Sequence, residues 1–277
     1  MANSELHNSG AGEEEMSFLD HLEALRWHLI RSLAATVLLM IVAFFSKKLL
    51  FHDIILAPSR PDFWTYRMLC RLGEYLDQPF LCVKQLSFII QSRTLTGQFS
   101  THIGVSLVAG FIVAFPYVFW EIWQFVKPGL YPRERAMTRG AVFFVSLLFF
   151  LGISFGYWIL APLSINFLAN YQIDPGIANE VDLMSYIETL LMMVLSCGLM
   201  FQLPMVILML AKAGIAGPGF LRAYRRHAII VIVIVAAILT PSPDLFSLLI
   251  VAFPIYLLYE LSILLAARAE RQNALEG

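Results

Sequence analysis

The chain has 277 residues, 59% of them hydrophobic and 14% charged, with a formal net charge of −1. It is too apolar and too poor in charge for an ordinary soluble domain. The charge balance also excludes a nucleic-acid binder, which would carry a basic stripe.

Met1 to Met16 is polar and acidic, with Glu13, Glu14 and Glu15. It lacks the basic stretch and short apolar core of a cleavable signal, so residues 1–16 read as a disordered, solvated tail. Ser17 to Arg31 reads as an amphipathic helix along the membrane surface. Ser17 and Asp20 have the form of a capping box, and Phe18, Leu22, Leu25 and Leu29 recur at helical spacing. Glu23 falls on the polar side, beside His21 and Arg26.

Six apolar runs follow: Leu29 to Phe45, Val105 to Val126, Ala141 to Phe167, Ile187 to Ala211, Ala228 to Leu239 and Leu245 to Tyr259. They predict an all-α membrane domain over residues 17–267. Its spans are expected at about 27–49, 100–126, 137–165, 185–211, 223–239 and 245–266, with a tail at 268–277 on the cytoplasmic side. The fifth run covers roughly 18 Å at about 1.5 Å per residue, against a hydrocarbon core of about 30 Å. A short hairpin through Thr240-Pro241-Ser242-Pro243-Asp244, with local thinning of the bilayer, is the favoured reading. Pro116, Pro162, Pro204 and Pro254 lie within or near the runs. Each removes a backbone hydrogen bond, and together they predict a concave bundle.

Basic residues set the orientation. Arg26 and Arg31, then Lys127, Arg133, Arg135 and Arg139, then Lys212, Arg222, Arg225 and Arg226, and finally Arg268 and Arg271 flank alternate junctions. Asn166 to Tyr186 has neither Lys nor Arg. The positive-inside rule puts both termini in the cytoplasm. The long loop at 51–99 dissents, with Arg60, Arg67, Arg71, Lys84 and Arg93, but long segments translocate despite charge. Phe63 to Leu76 has helical spacing and is expected to cap the outer ends of the bundle. Cys70 and Cys82 in this loop leave a disulfide and free thiols both open, with free thiols favoured from the spacing. Cys197 reads as a packing residue.

The chain has no His-Glu-x-x-His arrangement, no Gly-x-Ser-x-Gly elbow and no phosphate-cradling glycine loop. An enzyme is not expected, nor a cofactor or metal. The polar residues within the spans are Glu121, Glu188, Gln202 and Glu260, and each is a candidate for function because hydrocarbon disfavours them. Glu121, between Trp120 and Trp123, reads as an interfacial residue. Glu188 and Glu260 read as helix-end residues facing headgroups or water. Gln202 has two open readings: it binds a backbone carbonyl freed by Pro204, or it joins a partner helix.

Several segments together resemble TatC, the signal-peptide receptor subunit of the twin-arginine (Sec-independent) protein translocase. They are Phe18-Leu19-Asp20-His21-Leu22-Glu23-Ala24-Leu25-Arg26, Trp120 through Trp123, Phe125 to Pro128-Gly129-Leu130-Tyr131 with Glu134-Arg135, Phe201-Gln202-Leu203-Pro204, and Thr240 through Ser247. The resemblance implies a six-helix, glove-shaped fold with short fifth and sixth helices. It implies a receptor and assembly platform that binds twin-arginine signal peptides of folded cargo at a cytoplasmic-face carboxylate site. It also implies recruitment of small single-span TatA/TatB-type subunits, in a multi-copy complex of the cell inner membrane driven by the proton-motive force. By position, the signal-peptide site comprises Glu134, Glu23, Phe125, Arg26, Pro128, Leu130 and Tyr131. Gln202, Pro204, Asp244 and Phe99 are the partner-subunit contacts. Carboxylates suit the task because they hold guanidinium groups by bidentate, charge-assisted bonds that lysine does not reproduce. The family's amino-terminal motif usually reads His-Leu-x-Glu-Leu-Arg, and its carboxylate falls here at Ala24, leaving Glu23 one residue early. The alternative reading is a secondary transporter of a small solute. It calls for paired ionisable groups at mid-depth and an internal repeat, and the sequence displays neither.

Overall fold

The computed structural model describes residues 18–78, 82, 88–126, 140–174, 176–177, 179–212, 217–240 and 245–276. The architecture is a bundle of apolar helices, as the apolar runs require: in hydrocarbon, a helix satisfies its own backbone polar groups. Helix α1 (Phe18–Phe45) is continuous, so the expected surface helix is instead the first turns of the first long helix. An irregular segment of π-helical and 3-10 turns (Lys48–Ile55 and Ala57–Ser59) leads to α2 (Trp64–Tyr75), which is the helix expected over Phe63 to Leu76. A three-residue strand β1 (Ile89–Gln91) precedes α3 (Gly97–Val126). Then come α4 (Ala141–Phe155), a π-helical turn (Gly156–Leu160) and α5 (Ala161–Asn170). Strand β2 (Glu180–Asp182) leads into α6 (Leu183–Met200), which a turn separates from α7 (Leu203–Lys212). The chain ends with α8 (Pro218–Ala223), α9 (Arg225–Leu239) and α10 (Leu245–Glu276).

Among the described residues, five helical stretches are long and apolar enough to cross a membrane: Glu23–Phe45, Gly97–Val126, Ala141–Asn170, Leu183–Ala211 and Ser247–Arg268. The remaining apolar helix, α9, has only 15 residues. At about 1.5 Å per residue it reaches roughly 22 Å, short of a core of about 30 Å. The last helix runs to Glu276, so residues read from the sequence as a tail continue it.

The longest seam joins α1 to α3, which lie antiparallel. Gly110 allows it. A Cβ placed there would meet Met40 N at 2.5 Å and Thr36 O at 2.9 Å, both fixed backbone atoms. Membrane helices associate through such close backbone approach, because lipid supplies no hydrophobic drive between them. A second close approach, at Gly152, sets α4 against Cys197 O of α6. Between α3 and α4, Phe115 and Phe149 stack with centroids 3.6 Å apart.

One rim of the bundle is capped. Tyr66 of α2 is buried and shares its hydroxyl proton between Pro162 O at 2.8 Å and Pro58 O at 3.1 Å. Burial pushes its phenol well above the usual range, so it remains a neutral donor. Phe63 stacks on Trp158 at 5.0 Å, and Thr65 donates to Trp158 O. Strands β1 and β2 pair in parallel, Ile89 with Glu180 and Gln91 with Asp182. Arg93 reaches Glu180 at 3.2 Å, and Asp182 caps α6 by accepting from Met184 N. The basic long loop and the acidic loop before α6 therefore occupy the same rim. Cys70 and Cys82 are joined in a disulfide, which corrects the expectation of free thiols. The loop brings the two sulfurs together, a proximity that sequence spacing does not encode. Cys197 is free and buried, as a packing residue should be.

The seam gives a direct test. Gly110→Ala should lower stability by about 1–3 kcal/mol, the usual penalty for overpacking. Gly104→Ala, where nothing lies within 4 Å of the added carbon, should leave the thermal midpoint in detergent unchanged or slightly higher.

Candidate signal-peptide site

The seam carries the amino-terminal turns of α1 to the same rim as the end of α3. That is the rim opposite the capped one. On α1 the side facing α3 is readable from burial. Ala24 and His28 are half-buried and Ser32 and Thr36 buried, while Glu23, Leu25, Arg26 and Trp27 are exposed. Successive residues turn by about 100°, so Ala24 shares the seam face with His28. Glu23 lies about 140° from His28, and Arg26 about 160°. The one-residue offset between Glu23 and the family's carboxylate is thus a difference of face.

The polar centre of this rim is a cluster that the sequence reading did not assemble. Glu121 is 2% exposed, so near the end of α3 it faces protein rather than headgroups or water. Its Oε2 accepts from His28 Nδ1 at 2.5 Å, and its Oε1 accepts from the Tyr117 hydroxyl at 2.6 Å. Arg31, three residues beyond His28, adds a positive charge acting on the same carboxylate. The Phe125 ring meets the His28 ring edge-on, with centroids 6.4 Å apart. Phe125, half-buried, is the predicted site residue drawn into the cluster. Glu23 and Arg26 stand on the same rim but outside it. Pro128, Leu130, Tyr131 and Glu134 lie outside the described residues.

A signal for this cluster exists in the sequence. Tyr117 and Glu121 are four residues apart, as are Tyr256 and Glu260. In both pairs the tyrosine donates to the glutamate one turn later, at 2.6 Å and 3.1 Å. In both, a basic side chain from another helix completes the carboxylate: His28 for Glu121, and Arg225 at 2.9 Å for Glu260. In these two pairs the tyrosine one turn ahead is one of the groups that satisfies the carboxylate. Glu260 therefore sits in an ion pair rather than simply facing headgroups, whereas Glu188 is exposed.

The predicted partner contacts are dispersed. Gln202 sits in the turn between α6 and α7, where its Nε2 donates to Val145 O at 3.3 Å and Gly198 O at 3.4 Å. Its Oε1 is buried without a partner among the described residues. Pro204 is buried in the first turn of α7. Phe99 is 63% exposed near the start of α3, on the capped rim. Asp244 lies outside the described residues. An open, apolar hollow of about 340 Å³ lies between α3, α4 and α6, lined by residues including Ile55, Val105, Ile112, Trp158 and Leu190. Among the described residues no three His, Cys, Asp or Glu side chains gather as metal ligands.

Helical, multi-pass and closed by close backbone contacts, the molecule is an integral membrane bundle. Comparison with known proteins gives its family. Residues 20–254 match the family model described as Sec-independent protein translocase protein (TatC). Sec-independent protein translocase protein TatC of Blattabacterium is 37% identical over 253 residues, covering 91% of this chain and 95% of that protein. TatCy of Bacillus subtilis is 31% identical, covering 93% and 91%. A crystal structure of the twin-arginine translocase receptor TatC aligns with TM-score 0.64 and 28% identity, covering 90% of this chain and 99% of that one. A second, in the detergent DDM, gives a TM-score of 0.67. The chain belongs to the TatC family. It is thus a multi-pass inner-membrane component of the Tat protein translocase, and Tat subunits are its partners.

Gln202 yields a stability test. Its two bonds are long and one oxygen is unsatisfied, so a shape-matched apolar replacement loses little. Gln202→Leu should change stability by less than about 1 kcal/mol in either direction, read by thermal unfolding in detergent.

Proposed function

We propose that this chain is the receptor and core assembly platform of the twin-arginine translocase, binding twin-arginine signal peptides at the rim that holds the Glu121 cluster. The observation that carries this reading is the α1–α3 seam. It brings the Glu23–Arg26 turn and Phe125 to one rim, and Phe125 leads directly into the segment that contains Glu134. Two guanidinium groups entering there meet carboxylates at a partly desolvated boundary, where charge-assisted bonds are stronger than in bulk water. Pro128, Leu130 and Tyr131 belong to the same stretch of sequence and are offered as further signal-peptide contacts. Both termini are cytoplasmic in this reading, and the capped rim is external. The absence of Lys and Arg from Asn166 to Tyr186, which reaches the capped rim, supports that orientation.

The chain then recruits single-span TatA/TatB-type subunits in a multi-copy complex, and the proton-motive force acts on that assembly. Gln202 is offered as a contact for a partner helix, supported by its unsatisfied, buried Oε1. Pro204, Asp244 and Phe99 are offered with it. A titration of the purified protein with a fluorescent twin-arginine peptide and its lysine-lysine counterpart tests the function. The arginine peptide should bind at least about tenfold more tightly, a difference of about 1.4 kcal/mol. Equal affinities would refute the receptor reading.

Three further outcomes are expected. Glu134→Ala should weaken the arginine peptide by about tenfold or more, and Glu23→Ala by less. Ala24→Glu, which adds a carboxylate to the seam face, should tighten binding; unchanged or weaker affinity would count against that face. A cysteine at Asn170 should react with a membrane-impermeant maleimide added from outside intact cells, and protection there would reverse the orientation.

A further inference from the structure

We propose that Glu121 is a positioning residue for signal-peptide recognition: by holding His28 it fixes the rotation of α1, and with it where the Glu23–Arg26 turn stands on the rim that Phe125 shares. The inference rests on the receptor reading above and concerns how the same site is built.

Both oxygens of Glu121 are engaged, one by His28 and one by Tyr117, and the residue is 2% exposed. A carboxylate so enclosed is not free to grasp an incoming guanidinium. Its effect reaches the rim through the side chain it holds.

That side chain is well placed to matter. Among the described residues, side-chain hydrogen bonds cross the α1–α3 seam at two points. His28 donates to Glu121 near the receptor rim, and His102 donates to Phe44 O at 3.0 Å near the capped rim. Between them lies the close backbone contact of Gly110 with Met40. Ser32 and Thr36, also on the seam, return their hydroxyls to their own helix, to His28 O and Ser32 O. They give α1 no bond to α3. From Met40 back to His28 is about 18 Å of helix. Along that length the polar ties to α3 among the described residues are the His28 bond and the charge of Arg31, and both act on the Glu121 carboxylate.

Rotation is the quantity at stake. Ala24 follows His28 on the seam face, whereas Glu23 and Arg26 point well away from it. A turn of α1 by one residue's worth, about 100°, would carry Ala24 off the seam and Glu23 to a different part of the rim. The Phe125 ring packed edge-on against His28 would lose its neighbour in the same movement.

The test uses full-length protein in detergent. Affinities for the arginine peptide and its lysine-lysine counterpart are measured for wild type, Glu121→Ala and Glu121→Gln, each with its thermal midpoint. Glu121→Ala removes the acceptor and should weaken the arginine peptide roughly tenfold while narrowing the preference over lysine. Glu121→Gln keeps an acceptor for His28 and should stay within about threefold of wild type. The midpoint of Glu121→Ala should fall modestly, because His28 and Tyr117 lose a shared acceptor, and that of Glu121→Gln should fall less. Unchanged affinity in Glu121→Ala would overturn the proposal. So would equal losses in both variants, which would mean that the charge itself contacts the ligand. Equal weakening of the arginine and lysine-lysine peptides in Glu121→Ala, with the preference between them unchanged, would reduce Glu121 to a general structural role and overturn it too. If wild type itself fails to prefer arginine, the receptor reading is what falls, and the two failures are told apart by that control.

Discussion

The close approach of α1 to α3 is the constraint on which the rest of the molecule depends. Two apolar helices in lipid gain nothing by excluding water from each other, so their pairing must come from backbone proximity and a few polar bonds. Gly110 supplies the proximity. His28 and His102 supply the bonds, each near one end. A pairing pinned at three points leaves α1 little freedom to slide or rotate. It decides which side chains of the amino-terminal turns face the end of α3.

The remaining helices are arranged around that pair by the same means. Gly152 brings α4 onto α6, and the Phe115–Phe149 stack fills the space between α3 and α4. Tyrosine hydroxyls then fasten the irregular backbone that apolar helices cannot provide for. Tyr157 donates to Ile54 O, Tyr186 to Ile55 O and Tyr259 to Leu221 O. Each supplies a hydrogen bond to a carbonyl in a stretch near a helix end, where intrahelical partners run out.

Much of this was legible in the sequence, and the reasons for the remainder are physical. Long apolar runs announce long helices, so the order of the apolar segments, five of them long enough to cross a membrane, and the shortness of α9 are legible directly. The spacing from Phe63 to Leu76 announced α2. The three-residue strands could not be read, because Ile-Ile-Gln and Glu-Val-Asp acquire strand character only by pairing across a large gap in the chain. The break between α6 and α7 also escaped. Pro204 marks it, but a proline in an apolar run signals a kink and a full break equally well. That the Glu23–Arg26 turn and Phe125 share a rim follows from the resemblance and the antiparallel α1–α3 pair, whereas Glu121 reads as interfacial because tryptophans flank it. Its partner His28 is 93 residues away, and no local pattern connects them. Only the tyrosine one turn earlier carried a hint.

The parallel pairing of β1 with β2 has a bearing on how the chain is made. Arg93 and Asp182, which join the two sides of this small sheet, are separated by 89 positions. At a ribosomal pace of about 5–20 residues per second, the first strand waits roughly 5–18 s before its mate is synthesised. Through that interval its amide and carbonyl groups stand open, the kind of edge that invites pairing with a stray chain. The Cys70–Cys82 bridge lies wholly upstream and can close before the sheet exists. The capped rim can therefore form in two stages, a local clasp first and the long-range strand pair only once Asp182 has been made.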